Sequence, residues 1–183
     1  MKVAIAAYGA GNVRSVELAL GRLGAETELV HEPGPLLEAD LAVLPGVGSA
    51  ASAMAGLRER GLDEALRERA AAGRPILGIC LGLQLALDET EEDGGVAGVG
   101  LVPGRAVRLR EGRVPRIGWA PVEPGGETYW FAHSYACETP ATTATSEGIA
   151  AVVEHGPFLG VQFHPEKSGA AGARFLERCL SRA

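Results

Sequence analysis

Three residue types in this chain could together do covalent chemistry near neutral pH: a thiol, an imidazole and a carboxylate. Cys80 has Gly78 two residues before it and Gly82 two after. That is the G-x-nucleophile-x-G pattern of a strand-to-helix elbow. In so tight a turn the two glycines are expected to approach each other, so that a β-carbon at either would clash. A helix after Cys80 would aim its first N–H groups at the sulfur and draw the thiol pKa from about 8.5 towards neutrality. A lone cysteine at a strand end can equally be a small buried hydrophobe. The chemistry also needs a base, and the four histidines are His31, His133, His155 and His164. His164-Pro-Glu166 is the first choice. In extended backbone residues i and i+2 share a face, so Glu166 could lie beside the imidazole and fix its tautomer. His133 is the second candidate, while His31 and His155 read as surface residues.

A nucleophile of this kind needs donors for the charge that develops on the carbonyl oxygen. The elbow pattern assigns one to the N–H of Leu81. The second must come from a neighbouring strand end, and Pro45-Gly-Val-Gly48 follows a strand expected beside that of Cys80. Its two glycines let the loop present the Val47 N–H, although such a loop also serves as a plain β-to-α turn.

The elements that must hold these groups follow from periodicity. Ile76, Leu77 and Ile79 form a buried strand, and Leu81 and Leu85, with Leu87 as a candidate third, continue at helical spacing. Before them come a strand over 2–8, a turn with Asn12 placed to cap a helix, and that helix up to Gly24. Strands over 26–30 and 41–44 follow, then a helical segment from Ala50 broken at Gly61. This order predicts a parallel sheet with right-handed crossovers. Thr90 to Gly95 is acidic and glycine-rich and reads as a surface loop. Short strand-like runs then occupy 106–163, separated by turn residues, and predict an antiparallel extension of the parallel sheet. A last helix spans about 168–181, with Phe175, Leu176, Cys179 and Leu180 as its apolar face.

Composition narrows the class. A length of 183 residues suits one domain over 1–183. The net charge of −6 gives no electrostatic support for nucleic-acid binding. No apolar run is long enough to span a membrane, and the N-terminal stretch is too short and β-like for a signal peptide. Cys80, Cys137 and Cys179 lie far apart, which argues for free thiols and a cytoplasmic location. No His/Cys spacing matches a structural zinc site, so no metal is expected.

Pro45-Gly-Val-Gly48, Gly78-Ile-Cys-Leu-Gly-Leu-Gln84 and His164-Pro-Glu166 resemble, in order and spacing, the class I (triad-type) glutamine amidotransferases. Tyr8-Gly-Ala-Gly-Asn12, Gly118-Trp119, Phe131-Ala-His-Ser-Tyr135 and Gln162-Phe-His-Pro-Glu-Lys-Ser-Gly169 are similar to members whose ammonia passes to a (β/α)8-barrel cyclase subunit. The resemblance covers nearly the whole chain. It implies an α/β fold: a flavodoxin-like central parallel sheet, helices on both faces, and an antiparallel β extension in the C-terminal half. It implies glutamine hydrolysis, with Cys80 as nucleophile, His164 as base and Glu166 orienting it. Glutamine would be held at Gly46, Gly48 and Gln84 and by backbone groups near Ser134 and Tyr135. The family implies no metal or organic cofactor, and a heterodimer with the cyclase. Asn12, Trp119 and Lys167 are candidate contacts through which the partner would gate the Val47 loop. A helix cap, a core aromatic and a solvated charge are the plainer roles for those three.

Overall fold

The computed structural model describes residues 1–9 and 12–183. The N-terminal half runs β1 (Lys2–Ala6), α1 (Val13–Arg22), β2 (Glu26–Val30), α2 (Pro33–Glu38), β3 (Leu41–Leu44), α3 (Ala50–Glu59), α4 (Leu62–Ala71), β4 (Ile76–Ile79) and α5 (Leu81–Ala86). The remainder runs β5 (Leu87–Thr90), β6 (Val96–Ala97), β7 (Val102–Arg108), β8 (Arg116–Val122), β9 (Glu127–His133), β10 (Tyr135–Glu138), β11 (Thr142–Ser146), β12 (Ile149–His155), β13 (Phe158–Val161) and α6 (Gly169–Arg182).

The central sheet has the order β11-β12-β13-β4-β3-β1-β2. Strands β13, β4, β3, β1 and β2 pair in parallel, and β12 and β11 continue the sheet antiparallel. The period of two along each strand divides its side chains between two cores. Ala4, Ala6, Ala42, Leu44 and Ile76 face the core shared with α2, α3, α4 and α5. Val3, Ile5, Leu41, Val43, Leu77 and Ile79 face the core shared with α1, α6, β8 and β9. Both faces are covered, which is why these strands read as continuous apolar runs.

Several expectations are corrected. Only β11 and β12 extend the parallel sheet antiparallel. Strands β10, β7, β5 and β6 form a separate four-stranded sheet, and β8 and β9 a two-stranded one. The helix after Cys80 is short, because Leu87 turns to extended backbone (φ −71°, ψ 175°) and enters β5, which pairs in parallel with β7. Helix α2 lies between β2 and β3, where the sequence reading placed no helix; proline is tolerated in a first helical turn, where its missing N–H is not needed. Its C-terminal carbonyls are met by Arg69, fully buried and donating to Leu36 O (2.9 Å), Ala39 O (2.8 Å) and Asp40 O (2.8 Å). The turn with Asn12 falls partly on residues 10 and 11, outside the described residues.

The glycines of the elbow do not avoid each other, as expected from the motif, but the neighbouring strands. A β-carbon on Gly82 would stand 1.8 Å from the Leu44 carbonyl oxygen, and one on Gly78 would stand 2.6 Å from Phe158 Cζ. The first neighbour is backbone of the central sheet and cannot swing aside. Gly82→Ala is therefore expected to destabilise the protein by about 3 kcal/mol or more, at or above the usual overpacking range. Gly21→Ala, in α1 with open space around it, should stabilise by about 0.5–1 kcal/mol. Urea midpoints of the two variants check this, and similar midpoints would contradict it.

Candidate active site

Cys80 follows β4 directly. Its backbone is at φ 52°, ψ −106°, a region that costs a non-glycine residue about 1–3 kcal/mol. The conformation is held from both sides. Cys80 N–H donates to Val161 O at 2.7 Å, and Cys80 O accepts from Leu83 N–H (3.1 Å) and Gln84 N–H (3.3 Å). The buried sulfur lies 3.8 Å from Ala132 O and accepts from Gln162 Nε2 at 3.6 Å. Leu81 is the first residue of α5, so its N–H lies outside the helical ladder.

His164 sits just beyond β13, which pairs with β4, and this brings it to the sulfur. Its N–H donates to Trp130 O at 2.8 Å, and its own carbonyl accepts from Ser168 Oγ at 2.6 Å. Nδ1 bonds Glu166 Oε1 at 2.8 Å. The expected contact is present, but its geometry differs: residues Pro165–Lys167 form a 3-10 turn, not extended backbone, and the turn folds Glu166 back onto the imidazole. The Glu166 side chain is wholly buried. Its Oε1 also accepts from Asn12 Nδ2 at 2.6 Å, and Oε2 has no protein partner among the described residues. Burial alone would push the His164 imidazolium down. The sulfur of Cys80 and the carboxylate of Glu166, through hydrogen bonds and charge, outweigh it and hold His164 up at about 9.

The second candidate base is excluded by its partners. His133 is buried, with Nδ1 bonded to Tyr135 O at 2.8 Å and Nε2 facing Arg116 Nη1 at 3.4 Å. Burial, with the Arg116 charge adding, pushes it down to about 4, so it stays neutral. His31 is bonded to Ala7 O, and His155 ends β12 in solvent. Burial raises the thiols of Cys137 and Cys179, the latter to about 12. Both are therefore inert at neutral pH.

A cavity of about 210 Å³ opens over the sulfur, lined by Val47, Gly48, Cys80, Leu81, Gln84, Ser134 and Tyr135 among others. Gly46 lies outside that lining and has a packing role: a β-carbon there would stand 2.8 Å from Leu81 Cβ and 2.9 Å from Tyr8 Oη. The Tyr8 hydroxyl donates to Pro45 O, tying the loop to the end of β1. Glu92, Pro115 and Ile117 line the cavity too and escaped the sequence reading. Glu92, in the stretch taken for a surface loop, reaches the cavity while its carboxylate accepts from the Ala50 N–H at 3.1 Å. Burial raises its pKa. Asp93 beside it accepts from Ser49 Oγ (2.6 Å) and Ala51 N–H (2.9 Å), so the acidic stretch caps α3. No local signal in the sequence joins residues 92–93 to 49–51.

Asn12 begins α1 without a side-chain cap, and its amide goes to Glu166 instead. Trp119 is 55% exposed, packed edge-on against Trp130, so it is not a core aromatic. Ile117, on the same face of β8, is 53% exposed and lines the cavity. Lys167 is exposed beside Glu166. Among the described residues no cluster of three or more His, Cys, Asp or Glu side chains could hold a metal ion.

The glutamine amidotransferase class-I family model matches residues 5–183. Imidazole glycerol phosphate synthase subunit HisH of Moorella thermoacetica is 44% identical over 193 residues, spanning 96% of this chain and 92% of that protein. The subunit of the same name from Symbiobacterium thermophilum is 46% identical, spanning 96% and 91%. A crystal structure of a glutamine amidotransferase has the same fold, with a TM-score of 0.83 at 21% identity over 98% of each chain.

Protonated His164 stabilises the fold fully below its ordinary value of 6.5, and that contribution fades as pH rises through about 9. Cys80→Ala removes the sulfur, so the His164 imidazole, followed by NMR, is expected to titrate clearly below the wild-type midpoint. An unchanged midpoint would show that the sulfur does not set it.

Proposed function

The chain belongs to the class-I glutamine amidotransferases, and we propose that it is the glutaminase subunit of an imidazole glycerol phosphate synthase in histidine biosynthesis, with Cys80, His164 and Glu166 as its triad. The observation that carries the triad is a strained elbow cysteine facing an imidazole whose far nitrogen is held by a buried carboxylate. The reaction follows from those atoms. His164 takes the thiol proton of Cys80, and Sγ attacks the side-chain amide carbon of glutamine. The carbonyl oxygen becomes an oxyanion, met by the N–H groups of Leu81 and Val47. Each such donor is worth about 10²–10³ in rate. As the C–N bond breaks, His164 gives its proton to the leaving nitrogen, and ammonia departs from a glutamyl thioester. His164, now neutral, takes a proton from water, which attacks the thioester and releases glutamate. Glu166 keeps the proton on Nδ1 throughout, a general acid–base system worth about 10²–10⁴. No metal or organic cofactor enters these steps.

Gly48, Gln84 and the Ser134–Tyr135 backbone line the cavity that takes glutamine. The Glu92 carboxylate at the same cavity supplies a negative charge for the substrate's α-ammonium group. The ammonia goes to a (β/α)8-barrel cyclase in a cytoplasmic heterodimer, which makes imidazole glycerol phosphate and an aminoimidazole carboxamide ribotide. The exposed Ile117 and Trp119 and the exposed ammonium of Lys167 supply apolar and charged contacts for that subunit beside the mouth of the site. Asn12 adds a contact that already reaches the triad through Glu166. The Gly46–Val47 peptide, which carries the Val47 N–H, is the element that the partner gates; Gly48 just beyond it has φ 114°, a conformation open to glycine.

The direct test is a reaction with purified chain, barrel cyclase and the ribonucleotide substrate. Glutamine is expected to support imidazole glycerol phosphate formation, and the cyclase is expected to raise the glutaminase rate of the chain about 10²–10³-fold, one oxyanion donor's worth. If ammonia but not glutamine supported product, the assignment would fail; equal glutaminase rates with and without cyclase would remove the gating alone. Glu92→Gln keeps the acceptor for the Ala50 N–H but loses the charge. It is expected to raise KM for glutamine about tenfold and to leave kcat within a few-fold, the pattern of lost ground-state binding. An unchanged KM would remove Glu92 from the substrate site.

A further inference from the structure

One buried polar group at the site has no part in the mechanism above. Gln162 follows β13 and is completely buried. Its backbone N–H donates to Ala151 O at 2.9 Å, fixing the residue on the central sheet. Its side chain runs under the elbow, where Nε2 lies 3.6 Å from Cys80 Sγ and Oε1 lies 3.1 Å from Gln84 Nε2.

Which end of each amide faces which neighbour is decided by one backbone carbonyl. Tyr135 O can only accept, and it lies 3.0 Å from the Gln84 amide. The Gln84 nitrogen must therefore face it. The second N–H of that nitrogen then points to Gln162, which must answer with its oxygen. That leaves the Gln162 nitrogen, and so a donor, towards the sulfur. Reversing Gln162 would set its oxygen against the sulfur and two N–H groups against each other, in a place without solvent.

We propose that Gln162 is a further catalytic residue: its side-chain N–H holds the Cys80 sulfur, favouring the thiolate and orienting it between the imidazole and the bound amide. This rests on Cys80 being the nucleophile. A sulfur anion accepts hydrogen bonds more strongly than a thiol does, so a fixed donor favours ionisation. The Ala132 carbonyl, 3.8 Å away, can accept only from the thiol form. The two neighbours thus discriminate between protonation states, and Gln162 is on the side of the reactive one. Gln84 lines the substrate cavity and also orients Gln162, so an occupant of the cavity touches the residue that sets the donor.

Gln162→Met keeps the length of the side chain and removes the donor. The experiment is the pH dependence of iodoacetamide alkylation in the full chain, with the modified residue identified by mass spectrometry and the fold checked by circular dichroism. The alkylation midpoint of Cys80 is expected to move up by about one pH unit, the lower end of what a hydrogen bond to a charged group supplies. A folded variant whose profile superimposes on wild type would overturn the proposal while leaving Cys80 as nucleophile. Label on Cys137 or Cys179 with Cys80 untouched would overturn both. If Gln162→Met does not fold, the wild-type chain decides. The side-chain amide resonances of Gln162 are expected to titrate with the Cys80 alkylation midpoint and to lose that titration in Cys80→Ala. Resonances independent of the sulfur would overturn the proposal.

Discussion

The parallel pairing of β4 with β13 is the contact on which the site depends. It continues one residue beyond the strands, as the hydrogen bond from Cys80 N–H to Val161 O. That bond holds Cys80 in a backbone conformation that its side chain would otherwise resist. It also sets the distance between two segments far apart in sequence, since Gln162, His164 and Glu166 follow directly on Val161. The glycines of the elbow make the pairing possible. One gives way to the ring of Phe158 on β13 and the other to the backbone of β3, so the turn sits in a notch cut by its neighbours.

Around that pairing the polar groups are satisfied in a chain that leaves little freedom. Trp130 O receives the His164 N–H, Ser168 Oγ receives the Trp130 N–H, and the Ser168 hydroxyl closes back on His164 O. The imidazole is fixed before any substrate arrives. Fixed dipoles in a buried site need no reorganisation as charge develops, and this is where such sites gain most of their rate. Glu166 shows the cost of the same arrangement, with one oxygen serving both His164 and Asn12.

The sheet and the grouping of Cys80, His164 and Glu166 were legible because their signals are local. Continuous apolar runs marked the parallel strands, and spacing within a few residues marked the elbow and the His-Pro-Glu turn. The misread parts depend on partners distant in sequence. Leu87-Asp-Glu-Thr90 is too short to show a period, and it becomes a strand only because Val102–Arg108 pairs with it. Glu92 and Asp93 look like solvated charge until Ser49, Ala50 and Ala51 are placed against them. Asn12 reads as a helix cap, and its true acceptor lies 154 residues along the chain. The clash expected between the two elbow glycines failed for the same reason: the atoms that forbid a β-carbon belong to other strands.

The sheet order also bears on how the protein is made. Ribosomal synthesis delivers β1, β2, β3 and β4 early, and these can pair as β2-β1-β3-β4 with Cys80 already at its strand end. The edge of β4 remains open until β13 emerges, and β13 comes just ahead of the imidazole and the carboxylate. A growing chain therefore holds a thiol with no base. It also exposes an unpaired strand edge of the kind that recruits foreign strands. One late event, the insertion of β13 between β12 and β4, closes that edge and brings His164 and Glu166 to Cys80. A nascent chain therefore has no assembled site, and a chaperone that protects it must cover the β4 edge until β13 arrives.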